Sequence, residues 1–81
     1  MRVHLAPNAI ADYRSLPPKI QKAADKQFAL LQENLRHPSL RAKKYDERLD
    51  EWQARVSHGY RFYFQIEGNT YVIVGITRHP K

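Results

Sequence analysis

The chain has 81 residues, with 14 Lys and Arg against 8 Asp and Glu, a formal charge of +6 and a pI near 9.9. That length suits one small domain over residues 1–81, with a modest core and no room for a two-domain cleft. The absence of cysteine excludes disulfide frameworks and thiolate metal sites, no apolar run reaches membrane length, and no signal-peptide core follows Met1; a soluble, cytoplasmic protein without membrane contact is expected.

In chain order, Val3 and Leu5 alternate with Arg2, His4 and Ala6, which predicts a first strand. Pro7 ends it, and Asn8 is placed to cap a short helix through Ile10, Tyr13 and Leu16. Pro17-Pro18 closes that helix and opens a longer one, since proline at a first helical position forfeits no hydrogen bond. Ile20, Ala24, Phe28, Leu31 and Leu35 recur at spacings of four and three and mark its apolar stripe, and His37-Pro38 stops it. Ser39 to Asp50 is polar and reads as a loop, with a strand start as the alternative. After a hairpin in Trp52–Ile66 and a turn at Gly68-Asn69, Thr70 to Thr77 is apolar on both parities, as a central strand requires. The expected fold is α+β, one domain of order β-α-α-β-β-β, with an antiparallel-rich sheet packed on two N-terminal helices.

The hairpin is the most informative segment. Trp52, Ala54 and Val56 alternate with Gln53, Arg55 and Ser57, while Phe62, Phe64 and Ile66 alternate with Arg61, Tyr63 and Gln65. Pairing Arg55 with Arg61 keeps every apolar residue on one face, whereas a two-residue loop at His58-Gly59 would pair Val56 with Arg61 and mix the faces, so the odd loop is expected. A three-residue loop of Ser57, His58 and Gly59, with Gly59 left-handed and Val56 paired with Tyr60, would deliver that register. Directly opposed arginines repel, so this face calls for an anion, either a carboxylate of the protein or a bound group such as phosphate.

W-Q-A-R at Trp52–Arg55, G-Y-R with Tyr63 and Gln65 at Gly59–Gln65, and G-I-T-R-H at Gly75–His79, in this order of elements, resemble the RelE/ParE superfamily of type II toxin–antitoxin toxins over nearly the whole chain. The resemblance implies a RelE-like fold and one of two activities. RelE-like members cleave messenger RNA in the ribosomal A site, and ParE-like members inhibit DNA gyrase. Both kinds are held inactive by an antitoxin, so a cognate antitoxin is an implied partner, with ribosome and messenger RNA added for the first activity. By position, Arg61 matches the arginine after the G-Y pair of ribonuclease members, Arg78 a basic residue ending the last strand, and His79 the neighbourhood of a histidine used there. The order Arg78-His79 reverses the common family order, and Trp52 and Ala54 stand where one nuclease branch carries lysines.

Cleavage by an internal 2′-hydroxyl needs a base, an acid and cations for the phosphorane, and the planar guanidinium suits the last role. Arg61, Arg78 and His79 are therefore the catalytic candidates, and Arg55, Lys43, Lys44, Tyr63, Tyr60 and His58 the candidates for RNA or phosphate binding. Each has a plainer alternative: Arg61 ion-paired across the sheet, His79 a terminal bystander, His58 a solvated turn residue, Lys43 and Lys44 a solvated loop. Trp52 shares the parity of Phe64 and reads as core. No histidine pair has metal-ligand spacing, so neither metal nor cofactor is expected. The sequence reading is an mRNA endoribonuclease toxin, with a gyrase inhibitor or a non-catalytic binding module of the same fold as alternatives.

Overall fold

The computed structural model describes residues 1–78. The chain forms strand β1 (Arg2–Leu5), helices α1 (Pro7–Arg14) and α2 (Pro18–Glu33), a 3-10 turn at Pro38–Leu40, and strands β2 (Lys43–Asp46), β3 (Glu51–Ser57), β4 (Tyr60–Glu67) and β5 (Thr70–Arg78). The sheet order is β1-β5-β4-β3-β2, with β1 parallel to β5 and every other pair antiparallel. The expected α+β class with two N-terminal helices is the one observed. β5 lies inside the sheet between β1 and β4, as its two-sided apolar pattern requires.

Two local expectations are corrected. β2 is a strand where a polar loop was expected: K-K-Y-D pairs with β3 as a short, lysine-bearing edge, the form that discourages further pairing and that an apolar pattern does not reveal. α1 starts two residues early, with Pro7 as its first residue and Ala6 as the cap, so Asn8 lies inside the helix.

The core lies on one face of the sheet. Phe62 and Phe64 are fully buried; Phe28 of α2 meets Phe62 edge-on at 5.1 Å between ring centroids, Trp52 stacks on Phe64 at 6.1 Å, and Tyr71 meets Phe64 edge-on at 5.6 Å. Ala9 from α1, Leu16, and Ala24 and Leu31 from α2 complete the cluster, so both helices cover the same face. Trp52 belongs to it, as its parity implies. The helices are joined by Gln21 Nε2 donating to the Tyr13 carbonyl at 2.9 Å and by the Tyr13 hydroxyl donating to Asp25 Oδ1 at 2.8 Å. The bond to Asp25 raises the Tyr13 phenol above its ordinary 10.0, so its contribution to stability is present below that pH and is lost as the phenol ionises above it. Among the described residues no helix is long and apolar enough to cross a membrane.

The β3–β4 hairpin places Arg55 opposite Arg61, the register derived from side-chain alternation. The connection differs from the one expected. His58 and Gly59 alone form the turn, Ser57 rather than Val56 lies opposite Tyr60, and the register shifts between Arg55 and Ser57, which makes Val56 a bulge. The odd residue is absorbed in the strand instead of the loop, so Gly59 needs no left-handed backbone; among described glycines only Gly68, at φ 60°, has one.

Candidate functional site

The bulge and turn border a cleft of about 390 Å³ on the face of the sheet away from the helices. Arg41, Lys43, Arg55 and Arg61 line it together with Gln53, His58 and Tyr60, and no carboxylate does among the described residues. Four cationic side chains from three separate segments converge there. Arg55 and Arg61 arrive by cross-strand register. Lys43 comes from β2, whose register sets it opposite Gln53. Arg41 follows the 3-10 turn and holds a left-handed backbone at φ 48°, a conformation that costs a non-glycine residue about 1–2 kcal/mol and is concentrated at functional sites.

Second-tier contacts fix these arms. Gln53, nearly buried, accepts a 2.7 Å hydrogen bond at Oε1 from Arg61 Nη1, which orients the guanidinium across the sheet face. The ring of His37 accepts from the Ser39 amide at 3.2 Å and so caps the 3-10 turn, while Leu40, fully buried, anchors the turn beside Arg41. Gln27 of α2, only 6% exposed, is the hub: its Nε2 donates to the carbonyls of Ser39 at 3.0 Å and of Arg55 at 2.8 Å, and its Oε1 accepts from the Ser39 hydroxyl. One amide thus ties the helix to the turn that presents Arg41 and to the bulged backbone at Arg55. Gln27→Leu keeps the bulk and strands two carbonyls; the expected loss of about 1–3 kcal/mol in urea unfolding would be absent if this hub carried no weight.

The residues singled out from the sequence separate into groups. Arg55, Arg61, Lys43, His58 and Tyr60 line the cleft. Lys44 does not: it donates to Asp50 and lies 5.3 Å from the Trp52 ring centroid, on the other side of β2 from Lys43. The bond to Asp50 raises its ammonium above the ordinary lysine value. Arg78 lies opposite Tyr60, its guanidinium carbon 5.9 Å from that ring, and so stands beside the cleft lining. It ends a strand held to α1 by Asp12, whose Oδ2 accepts from the Ile76 amide at 3.0 Å, next to a second bulge between Gly75 and Ile73. Tyr63 follows Arg61 by two residues on the open face and stands outside the cleft lining. His79 lies outside the described residues. Arg41 and Gln27 were not singled out: the first sits in a segment read as loop, and the second occupies a core-facing position in a stripe defined by apolar residues alone.

The chemistry offered is recognition of an anion that several cations can surround. Arginine forks and a lysine gathered on one cleft suit a phosphodiester, with the Gln53 amide and the His58 imidazole as neighbours.

Comparison with known proteins agrees on the family. A sequence model described as the ParE toxin of type II toxin-antitoxin system, parDE, matches residues 3–80. Among curated proteins no sequence matches the chain. Among solved structures, a YoeB/ParE toxin from Agrobacterium tumefaciens superposes with a TM-score of 0.81 at 10% identity, over 99% of this chain and 100% of that one. The toxin–antitoxin complex RelBE2 from Mycobacterium tuberculosis gives 0.76 at 26% identity over 96% of each chain. The isolated RelE toxin of E. coli gives 0.77 at 16% identity, over 99% of this chain and 85% of that one. The fold, the element order and the family match over residues 3–80 together make this chain a member of the ParE toxin family of type II toxin–antitoxin systems, within the RelE/ParE superfamily.

Proposed function

We propose that this toxin is an endoribonuclease that cuts messenger RNA on the ribosome. The observation that carries the reading is the convergence of Arg41, Lys43, Arg55 and Arg61 on one cleft, with His58 at its rim. Metal-free cleavage begins with attack of a ribose 2′-oxygen on the adjacent phosphorus. The 2′-hydroxyl proton passes to a base, the bond from phosphorus to the 5′-oxygen breaks, and that oxygen takes a proton, leaving a cyclic phosphate and a 5′-hydroxyl end. The negative charge gathered on the phosphorane is the part an arginine cluster stabilises best. Arg61, oriented by Gln53, is assigned that role, with Arg55, Lys43 and Arg41 holding phosphate and Arg78 supporting from beside Tyr60. His58 stands at the cleft as a group able to exchange a proton, and His79 keeps the acid-or-base role assigned from the sequence. The ribosome would supply most of the positioning of message, which suits a site with few protein groups.

The protein is expected in the cytoplasm, held by a cognate antitoxin whose acidic segment folds onto the basic face; the RelBE2 complex from Mycobacterium tuberculosis is a toxin–antitoxin pair of the same architecture. The family description, which names ParE, supports a second reading, inhibition of DNA gyrase. Adding the purified protein in parallel to a reconstituted translation reaction and to a gyrase supercoiling reaction separates the two. Arrest of translation with supercoiling unchanged is expected. Blocked supercoiling with translation intact would overturn the ribonuclease reading.

A further inference from the structure

The open face holds an aromatic feature that the phosphate cleft does not use. Tyr45 of β2 is 57% exposed, and its ring lies 5.0 Å from that of Tyr63 on β4, tilted by 59°. The two strands are not neighbours, because β3 lies between them. The reach is made possible by a register shift between Lys44 and Asp46, which leaves Tyr45 as the unpaired residue of a bulge, a device that re-aims a side chain. Tyr63 is half-buried and supports the pair from below, so Tyr45 presents the exposed ring.

The position of this pair relative to the cations is regular. Tyr45 is two residues beyond Lys43 on β2, and Tyr63 is two residues beyond Arg61 on β4, with Lys43, Gln53 and Tyr63 in one cross-strand row. Two strand residues span about 6.6 Å at ~3.3 Å each, which is about the reach of one nucleotide from its phosphate to its base. A strand whose phosphate lies among Arg61, Lys43 and Arg55 therefore brings an adjacent base to the two rings. We propose that Tyr45, backed by Tyr63, is a nucleobase-stacking platform for the single-stranded RNA whose phosphate occupies the cleft; this rests on the ribonuclease reading above. A solvent-facing tyrosine costs little to order and accepts any base on its face, so the platform holds the message without reading its sequence by hydrogen bonds.

The test uses the intact protein and two short single-stranded 2′-O-methyl RNA oligonucleotides, which cannot undergo internal attack, one carrying all its bases and one abasic at its central position, at low salt with fluorescence anisotropy as readout. Wild type is expected to bind the base-bearing strand about tenfold more tightly than the abasic one. Tyr45→Phe keeps that ratio and Tyr45→Ala reduces it to near one, with unfolding midpoints recorded to show that all three are folded. Equal binding of the two strands by wild type overturns the platform, and a ratio that survives in Tyr45→Ala overturns the assignment to Tyr45. If both strands bind equally and both are weakened by Arg55→Ala, the phosphate role of the cleft stands while the platform falls. Failure of the ribonuclease reading itself is recognised separately, by translation that continues in the presence of wild type.

Discussion

Replacing Arg61 by alanine is expected to lower the rate of message cleavage by about 10²–10³-fold, the effect of deleting one preorganised donor from a transition-state site. The expectation rests on three features. Arg61 lies opposite Arg55 in the strand register, so two forked cations approach one point. Gln53 accepts from its Nη1 at 2.7 Å and fixes the plane of the guanidinium before substrate arrives. The remaining cleft cations, Arg41 and Lys43, come from other segments and do not depend on Arg61 for their placement. Binding of the message is therefore expected to weaken much less than the chemical step. Arg61→Lys keeps charge and loses the fork, and is expected to recover only part of the rate. Single-turnover cleavage on programmed ribosomes measures the effect; a rate within threefold of wild type for Arg61→Ala would remove Arg61 from the chemistry.

Phe62→Ala is expected to cost about 3–5 kcal/mol of folding stability. Phe62 is fully buried, contacts Phe28 of α2 edge-on at 5.1 Å and Phe64 at 5.7 Å, and so joins the helix layer to the middle of the sheet. A chain of 81 residues has a total stability of roughly 4–12 kcal/mol, at ~0.05–0.15 kcal/mol per residue, so this single change removes about a quarter of it or more. Because Arg61 precedes Phe62 on the same strand, loss of the core contact also loosens the site. The unfolding midpoint in urea, with the slope unchanged, reports the loss. A shift worth under 1 kcal/mol would mean that the helices collapse onto the vacated space and that the aromatic cluster is not the centre of the core.

The parts of this architecture visible in the sequence are those set by side-chain periodicity. The alternation on β3 and β4, with the short connection between them, was enough to place Arg55 opposite Arg61, because a one-residue slip mixes buried and open faces. The stripe on α2 and the two-sided apolar run of β5 placed the helix layer and a central strand for the same reason. What periodicity does not carry is where the chain departs from it. The bulge at Val56 gives the same register as a longer loop, so alternation alone could not choose between them. Arg41 reaches the cleft through a capped 3-10 turn and a left-handed residue, local geometry that basic composition does not encode. Lys43 and Lys44 look alike in sequence, yet adjacent strand residues face opposite sides, and only Lys43 meets the cleft. Tyr45 needed both an edge strand and a bulge to reach Tyr63, and neither is marked by an apolar pattern.

The cleft, its cations and the family together point to one experiment above others: primer extension on a defined message in a purified translation system, comparing wild type with Arg61→Ala. Discrete cuts within A-site codons, present with wild type and strongly reduced with a folded Arg61→Ala protein, are the expected result. An intact message with folded wild-type toxin on actively translating ribosomes would contradict ribonuclease function and leave gyrase as the target to pursue.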